Sequence, residues 1–322
     1  MTNNNVLEKS ASGWNYFNID AVSKTTPEPL DFVLPGFVSG TVGSLVGAGG
    51  ASKSAMALAI AGEICGGSEM VGAKPNPTDK AVSVLVLEDP ALATQHRIDS
   101  YFHSLNDEQR KNVADGRLQI MPLASQPFDI EKSATLEKLE QIASYSRLII
   151  LDTFKKVHNL NENDSGDMGI VLDKLLKIAD KNNCAILFLH HMNKGSAVND
   201  TAGEQQSSRG SSVLVDNIRF QAYMKTMSVK DASEYGISED ERKRYVQYGV
   251  SKVNLAMHPE PIWFKRVSDP RPEIYGYTLQ RVELEKKDKK EKPVAKPAKA
   301  RKPVAVENNN NMESSNEKFA DF

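Results

Sequence analysis

The stretch TVGSLVGAGGASKSAMALAIAGEIC, Thr41 to Cys65, decides the reading of this chain. An apolar run (Val42, Leu45, Val46) leads into a loop of small residues, Gly47-Ala48-Gly49-Gly50-Ala51-Ser52, followed at once by Lys53 and Ser54. The long apolar segment behind them predicts a helix buried on nearly all sides. Strand, glycine loop, Lys-Ser and helix, in that order, have the form of a phosphate-binding P-loop. Glycines let backbone N–H groups turn inward around a triphosphate, and the positive end of the helix faces the same anion. In this pattern Gly47 to Ser54 cradle ATP, Lys53 reaches the β/γ-phosphates, and Ser54 takes a position on Mg²⁺.

One residue departs from the pattern. The usual motif has glycine before the lysine, and here that residue is Ser52. If the position needs φ > 0, a non-glycine residue costs roughly 1–2 kcal/mol. The expected effect is weaker ATP binding or slower turnover, with neither abolished.

Downstream, the strand Ala81 to Leu87 ends at Glu88-Asp89-Pro90. Asp89 reads as a helix N-cap and Pro90 as the first helical residue. That leaves Glu88 at the carboxyl end of a strand, where ligands bind in open α/β sheets. His96, Arg97, Tyr101 and His103 on the next helix read as a solvated face. A helix around Ser133 to Ser144 precedes Leu148-Ile-Ile-Leu-Asp152, an apolar strand with a terminal acid. After a P-loop this is the Walker B form, in which Asp152 holds Mg²⁺ directly or through water. Thr153, not glutamate, follows it, so Glu88 is the candidate for orienting the attacking water.

Met168, Leu172, Leu175 and Ala179 recur at helical spacing and read as core. The strand Ala185 to Leu189 ends in His190-His191, on the phosphate edge, which suggests a hydrogen-bond sensor of the γ-phosphate. A metal pair is the poorer reading, because adjacent strand residues point to opposite faces. Asn193 to Ser208 is a long polar loop, of the kind that is usually functional or disordered. Val213 to Met224, carrying Arg219, and Tyr245 to Ala256 predict strands. Ile262 to Val267 and Tyr275 to Val282 predict closing antiparallel strands.

Lys and Arg number 40 against 42 Asp and Glu, so global charge says nothing about nucleic acid and any basic surface must be local. The two cysteines, Cys65 and Cys184, lie in apolar surroundings and read as reduced core residues, with no disulfide or metal spacing. MTNNNVLEKSASG lacks the charged-then-apolar pattern of a signal peptide, and no apolar run is long enough to span a bilayer. The expectation is a cytoplasmic protein with no membrane partner. Residues 1–26 read as a flexible, Asn-rich arm with an aromatic knot at Trp14, Tyr16 and Phe17, packing on this chain's core or on a neighbouring subunit. Residues 286–322 read as a disordered tail, basic first and then acidic. Its basic half would add salt-sensitive DNA affinity.

Five segments carry a resemblance: LDFVLPGFVSGTVGSLVGAGGASKS, VLVLEDPALATQHRI, LIILDTFKKVHNLNENDSG, FLHHMNKGS and QQSSRGSSVLVDNIRFQAYM. In this order, from about Leu30 to Met224, they resemble the RecA-type ATPases, and among them the RepA-type hexameric replicative helicases of IncQ plasmids. The resemblance implies an α/β RecA-like P-loop core over residues 27–285, with a mostly parallel central sheet, flanking helices and C-terminal antiparallel strands. It implies ATP hydrolysis with Mg²⁺ driving 5′→3′ movement along single-stranded DNA by a homo-hexameric ring. A plasmid primase and initiator come into view as further partners. Carried over by position, Lys53 and Ser54 bind nucleotide and Mg²⁺, Glu88 activates water, Asp152 is the Walker B acid, and His191 senses the γ-phosphate. Arg219 is the arginine finger reaching a neighbour's site, with Arg209 its rival.

The loops after Asp152 (Lys155, Lys156, His158) and after His191 (Asn193, Lys194, Arg209) leave the sheet on one edge. They are the candidate single-stranded DNA contacts, through phosphate neutralisation; solvated surface lysines are the alternative for Lys155 and Lys156. Two other functional readings stay open on sequence alone. One is a nucleotide-gated scaffold with little hydrolysis, favoured by Ser52. The other is a RecA-like ATPase that loads or remodels proteins on DNA without unwinding.

Overall fold

The structure, a computed structural model, describes residues 6–73, 79–115, 117–191 and 213–287. Its strands are β1 (Leu7–Lys9), β2 (Asn15–Phe17), β3 (Phe32–Leu34), β4 (Phe37–Val38), β5 (Val42–Gly47), β6 (Ala81–Val86), β7 (Leu118–Pro122), β8 (Ser146–Asp152), β9 (Ala185–His191), β10 (Phe220–Thr226), β11 (Tyr245–Val253), β12 (Ile262–Ser268) and β13 (Tyr277–Val282). The helices are α1 (Ile19–Ser23), α2 (Lys53–Ile64), α3 (Ala91–His103), α4 (Asp107–Ala114), α5 (Ser133–Tyr145), α6 (Ser165–Asn182), α7 (Val213–Asn217), α8 (Val229–Tyr235) and α9 (Glu239–Arg242). Among the described residues no helix is long and apolar enough to cross a membrane.

Nine strands form one sheet in the order β13-β12-β11-β10-β5-β9-β8-β6-β7. The run from β10 to β7 is parallel, and β11, β12 and β13 continue it antiparallel. This is the expected mostly parallel α/β core with C-terminal antiparallel strands. Every residue of β5, β6 and β8 is buried, as parallel strands covered on both faces require. Strand alternation divides their side chains between two cores. Leu45, Val84, Ile150 and Leu187 face α2, whereas Leu85, Ile149, Leu151 and Phe188 face α5 and α6. Met168, Leu172, Leu175 and Ala179 are indeed core.

The register gathers the strand ends. Gly47 pairs with His191 and Val86 with Asp152, so the carboxyl ends of β5, β9, β8 and β6 open on one edge. At Gly47 a Cβ would stand 2.6 Å from the Met224 carbonyl oxygen of β10, so only glycine passes there. The chain's approach to this core is fixed by Asp31, whose carboxylate accepts two hydrogen bonds from the buried guanidinium of Arg147, at 2.7 and 3.3 Å.

Residues 7–23 form the β1–β2 hairpin and α1, and their apolar side chains face solvent, Trp14 at 78 % exposure and Phe17 at 61 %. The aromatic knot does not pack on this chain's own core. Val213 to Met224 is not a single strand. It begins as α7 and bends at Ile218-Arg219 before β10 starts at Phe220. Lys252 Nζ donates to the carbonyls of Val215 and Asp216 at the end of α7, groups a helix leaves without partners. Strand β7 at the sheet edge and helices α8 and α9 were not anticipated from the sequence pattern.

Candidate nucleotide-binding site

The loop between β5 and α2 has two residues in the left-handed region, Gly50 at φ +75° and Ser52 at φ +68°. The conformation that normally calls for glycine before the lysine is therefore adopted here by serine. Lys53 and Ser54 open α2, so the helix N-terminus and its first N–H groups face the loop. Lys53 Nζ donates to the carbonyls of Gly47 (2.9 Å) and Ala48 (3.1 Å) and lies 3.4 Å from His191 Nδ1.

Gly50 to Ser54, Glu88, Asp89, Arg97, Asp152, Thr153, His191 and Tyr277 line one cleft of about 250 Å³ at the sheet edge. The Ser54 hydroxyl donates to the Asp152 carboxylate, and Asp152 is buried. Burial pushes that carboxyl above the usual carboxylate range, against the Ser54 hydrogen bond and the nearby Arg97 guanidinium. Thr153 Oγ1 donates to the Leu189 carbonyl at 2.9 Å and ties the end of β8 to β9. Glu88, just past β6, is exposed on the rim.

The adjacent histidines separate as strand alternation requires. His190 is buried edge-on against Phe154 and Phe188, while His191 lines the cleft beside Lys53.

Arg97, Arg266 and Tyr277 stand on the cleft or against it without a local sequence signal for that place. Arg97, expected on a solvated face, pairs with Asp89 at 2.6 Å and faces the cleft. Asp89 is thereby occupied and is not an N-cap; Pro90 stands at the cap position of α3, with no side-chain cap. Tyr101 on the same helix is buried. From the far antiparallel strands, Arg266 and Tyr277 both donate to Ser52 Oγ, at 2.8 and 3.0 Å.

Would ATP and Mg²⁺ fit these residues? The loop offers backbone N–H groups, a helix N-terminus and an ammonium for phosphates. A hydroxyl against a buried carboxylate, Ser54 with Asp152, is the hard-oxygen pair that Mg²⁺ takes when phosphates and water complete its shell. Among the described residues no group of three or more His, Cys, Asp or Glu is disposed to hold a metal alone. The donor set fits.

Arg219 stands elsewhere. It is exposed just before β10, its N–H donating to Val42 at the start of β5. Five strand residues, roughly 16 Å, separate that level from Gly47, so Arg219 sits on the opposite edge from its own cleft. Lys155 and Lys156 are exposed on a short 3₁₀ turn after Asp152, beside a second cleft of about 580 Å³ whose other walls include Gln126, Asn159 and Asn161. His158 does not belong with them as a surface contact: it is buried edge-on against Phe154, and burial pushes its ring pKa down. Lys194 and Arg209 lie outside the described residues, as does the segment 288–322.

A family model described as "AAA domain" matches residues 15–197. The chain is similar in structure to the ATPase domain of G40P, with TM-score 0.53 and 13 % identity over 77 % of this chain and 92 % of that one. It is similar also to a DnaB-like replicative helicase whose interactions with primase are described, with TM-score 0.56 and 12 % identity over 81 % of this chain and 66 % of that one. At these identities the likeness is one of fold.

Proposed function

The chain belongs to the AAA domain family, and from that premise we propose that it is an ATP-dependent replicative DNA helicase, a homo-hexameric ring that moves 5′→3′ on single-stranded DNA in the cytoplasm. The observation that carries the reading is convergence: the Gly47–Ser54 loop, Asp152 and His191 meet in one cleft, with Glu88 on its rim. A RecA-like fold shared with a DnaB-like replicative helicase supports it. The five-segment likeness to the RepA-type helicases of IncQ plasmids supports the plasmid setting, and with it a plasmid primase and initiator as partners.

Bound ATP with Mg²⁺ supplies the transferable phosphoryl group and neutralises much of its charge. This chain's residues do the rest. Lys53, poised on the Gly47 and Ala48 carbonyls, has only to turn from them to face the β- and γ-phosphates. Ser54 and Asp152 hold Mg²⁺. Glu88, exposed where solvent enters, orients water and takes its proton. His191, next to Lys53, reads the presence of the γ-phosphate. Arg219 serves the cleft of an adjacent subunit, since its own lies at the other end of the sheet. Residues 27–285 form the motor, 1–26 an arm whose bare aromatics offer a subunit contact, and 286–322 a basic-then-acidic tail.

The deciding experiment measures ATPase with and without single-stranded DNA, then unwinding of a forked duplex, with Glu88→Gln as control. Stimulated turnover with unwinding, both lost in Glu88→Gln, is the expected result. Stimulated turnover without unwinding marks a remodeller, and negligible turnover marks a nucleotide-gated scaffold.

A further inference from the structure

The hairpin β12–β13 grips both walls of the cleft. From β12, Arg266 donates through Nε to Ser52 Oγ (2.8 Å), through Nη2 to the Gly50 carbonyl (2.5 Å) and through Nη1 to the Lys243 carbonyl (2.8 Å). From β13, the Tyr277 hydroxyl donates to the same Ser52 Oγ at 3.0 Å. In the connecting segment, Arg271 donates to Asp99 of α3 (2.5 Å) and the Tyr275 N–H donates to His96 Nδ1 (3.3 Å). Helix α3 is the one that carries Arg97 and follows Glu88 and Asp89.

Ser52 is the point where this grip meets the nucleotide loop. Its backbone lies at φ +68°, a conformation glycine enters freely and serine does not. Its hydroxyl makes no helix-capping hydrogen bond and instead accepts from two strand-borne donors, one of them a guanidinium. Glycine would give neither donor an acceptor. Hydrogen bonds from a charged, planar fork are among the stronger kind and fix direction as well as distance.

We propose that Arg266, seconded by Tyr277, is the positioning residue of the nucleotide-binding loop: it holds Ser52 in the left-handed conformation from which Lys53 and Ser54 face the phosphates. Conformational freedom does this work at a glycine; here a side chain fastened from the far end of the sheet does it. The loop's shape is thereby set by residues more than 200 positions away, on the hairpin that also holds α3. The proposal rests on the ATP-binding reading of the cleft.

The test is equilibrium binding of a fluorescent ATP analogue with Mg²⁺ to the purified full chain. The variants are Arg266→Ala, Arg266→Lys, Ser52→Gly and Ser52→Gly with Arg266→Ala, each checked for folding by circular dichroism. Arg266→Ala is expected to weaken binding about ten-fold. Arg266→Lys does not restore it, because one ammonium cannot reproduce the fork. Ser52→Gly is the reference background, whatever its own affinity, and measured against it Arg266→Ala costs less than about three-fold, a clear departure from additivity. Unchanged binding in Arg266→Ala overturns the proposal. So does an equal loss on both backgrounds, which is what a direct phosphate contact by Arg266 gives. If Arg266→Ala fails to fold, Tyr277→Phe carries the same cycle, with a loss of about three-fold that disappears on the Ser52→Gly background. A parent that binds no nucleotide overturns the ATP-binding reading and the proposal together. Additive losses in a parent that binds overturn the positioning role alone.

Discussion

Lys53 Nζ and His191 Nδ1 lie 3.4 Å apart, brought together by the pairing of Gly47 with His191 on neighbouring strands. One group follows the nucleotide loop at the start of α2 and the other ends strand β9. The two therefore divide in what they are expected to do. Lys53→Ala removes the phosphate cation and brings ATPase down at least a hundred-fold, with nucleotide binding weakened. His191→Ala keeps nucleotide affinity within about three-fold but lowers hydrolysis at least ten-fold, the pattern of an interaction made on the way to the transition state. Parallel ATPase and binding measurements separate them, and a Lys53→Ala protein as active as the parent removes the cleft from consideration.

Asp152 predicts a pH effect of definite sign. Burial is the largest influence on its carboxyl and raises its pKa. A carboxyl whose folded pKa exceeds its unfolded one favours the fold most when protonated; that contribution is full below the unfolded pKa and lost as pH rises through the folded one. At neutral pH, without a cation, the ionised side chain therefore costs stability. Asp152→Asn is expected to raise the melting temperature in Mg²⁺-free buffer at pH 7. The gain shrinks toward pH 4, while Mg²⁺-dependent hydrolysis is lost. Thermal scans across pH check it, and a lower melting temperature at pH 7 would falsify the sign.

Arg219 and Lys53 lie at opposite ends of the sheet, which allows a complementation test. Arg219→Ala and Lys53→Ala should each be inactive alone. Mixed in equal amounts and allowed to exchange subunits, they should recover hydrolysis, because about a quarter of the interfaces then join an intact loop to an intact arginine. A mixture no more active than its components, with exchange verified, rules out Arg219 as the arginine acting in the neighbour's cleft.

Lys155 and Lys156 are exposed beside the amide-lined second cleft. Replacing both with alanine should lower DNA-stimulated ATPase and leave basal ATPase within about two-fold. The dependence of log affinity for single-stranded DNA on log salt should flatten by about 1.4, two contacts at about 0.7 each. If basal and stimulated rates fall together, the turn serves the fold rather than the polymer.

The sheet and the two ends of the cleft were legible because they depend on local pattern. Apolar runs ending in Lys-Ser, Glu, Asp and His-His announce buried strands and place their termini on one edge. What stayed hidden depends on pairing at a distance. Arg97 looks like any helical cation until Asp89, eight residues earlier, turns it inward. Nothing local marks Arg266 or Tyr277 as partners of Ser52, since their contact exists only after β12 and β13 have joined the sheet. His158 sits in a polar run, yet Phe154 and Phe188 form an aromatic cluster that takes it in. Strand β7 is short, half-exposed and closed by a proline, so it gives almost no periodic signal.

Placing Arg219 on the rim away from the cleft has an arithmetic consequence under the proposed reading. Subunits joined head to tail in an open row always leave one terminal cleft without a visiting arginine. Closing the row into a circle completes that last cleft, so specific activity per chain climbs with assembly and steps up at closure. Dilution should then switch hydrolysis off far more steeply than it lowers protein concentration.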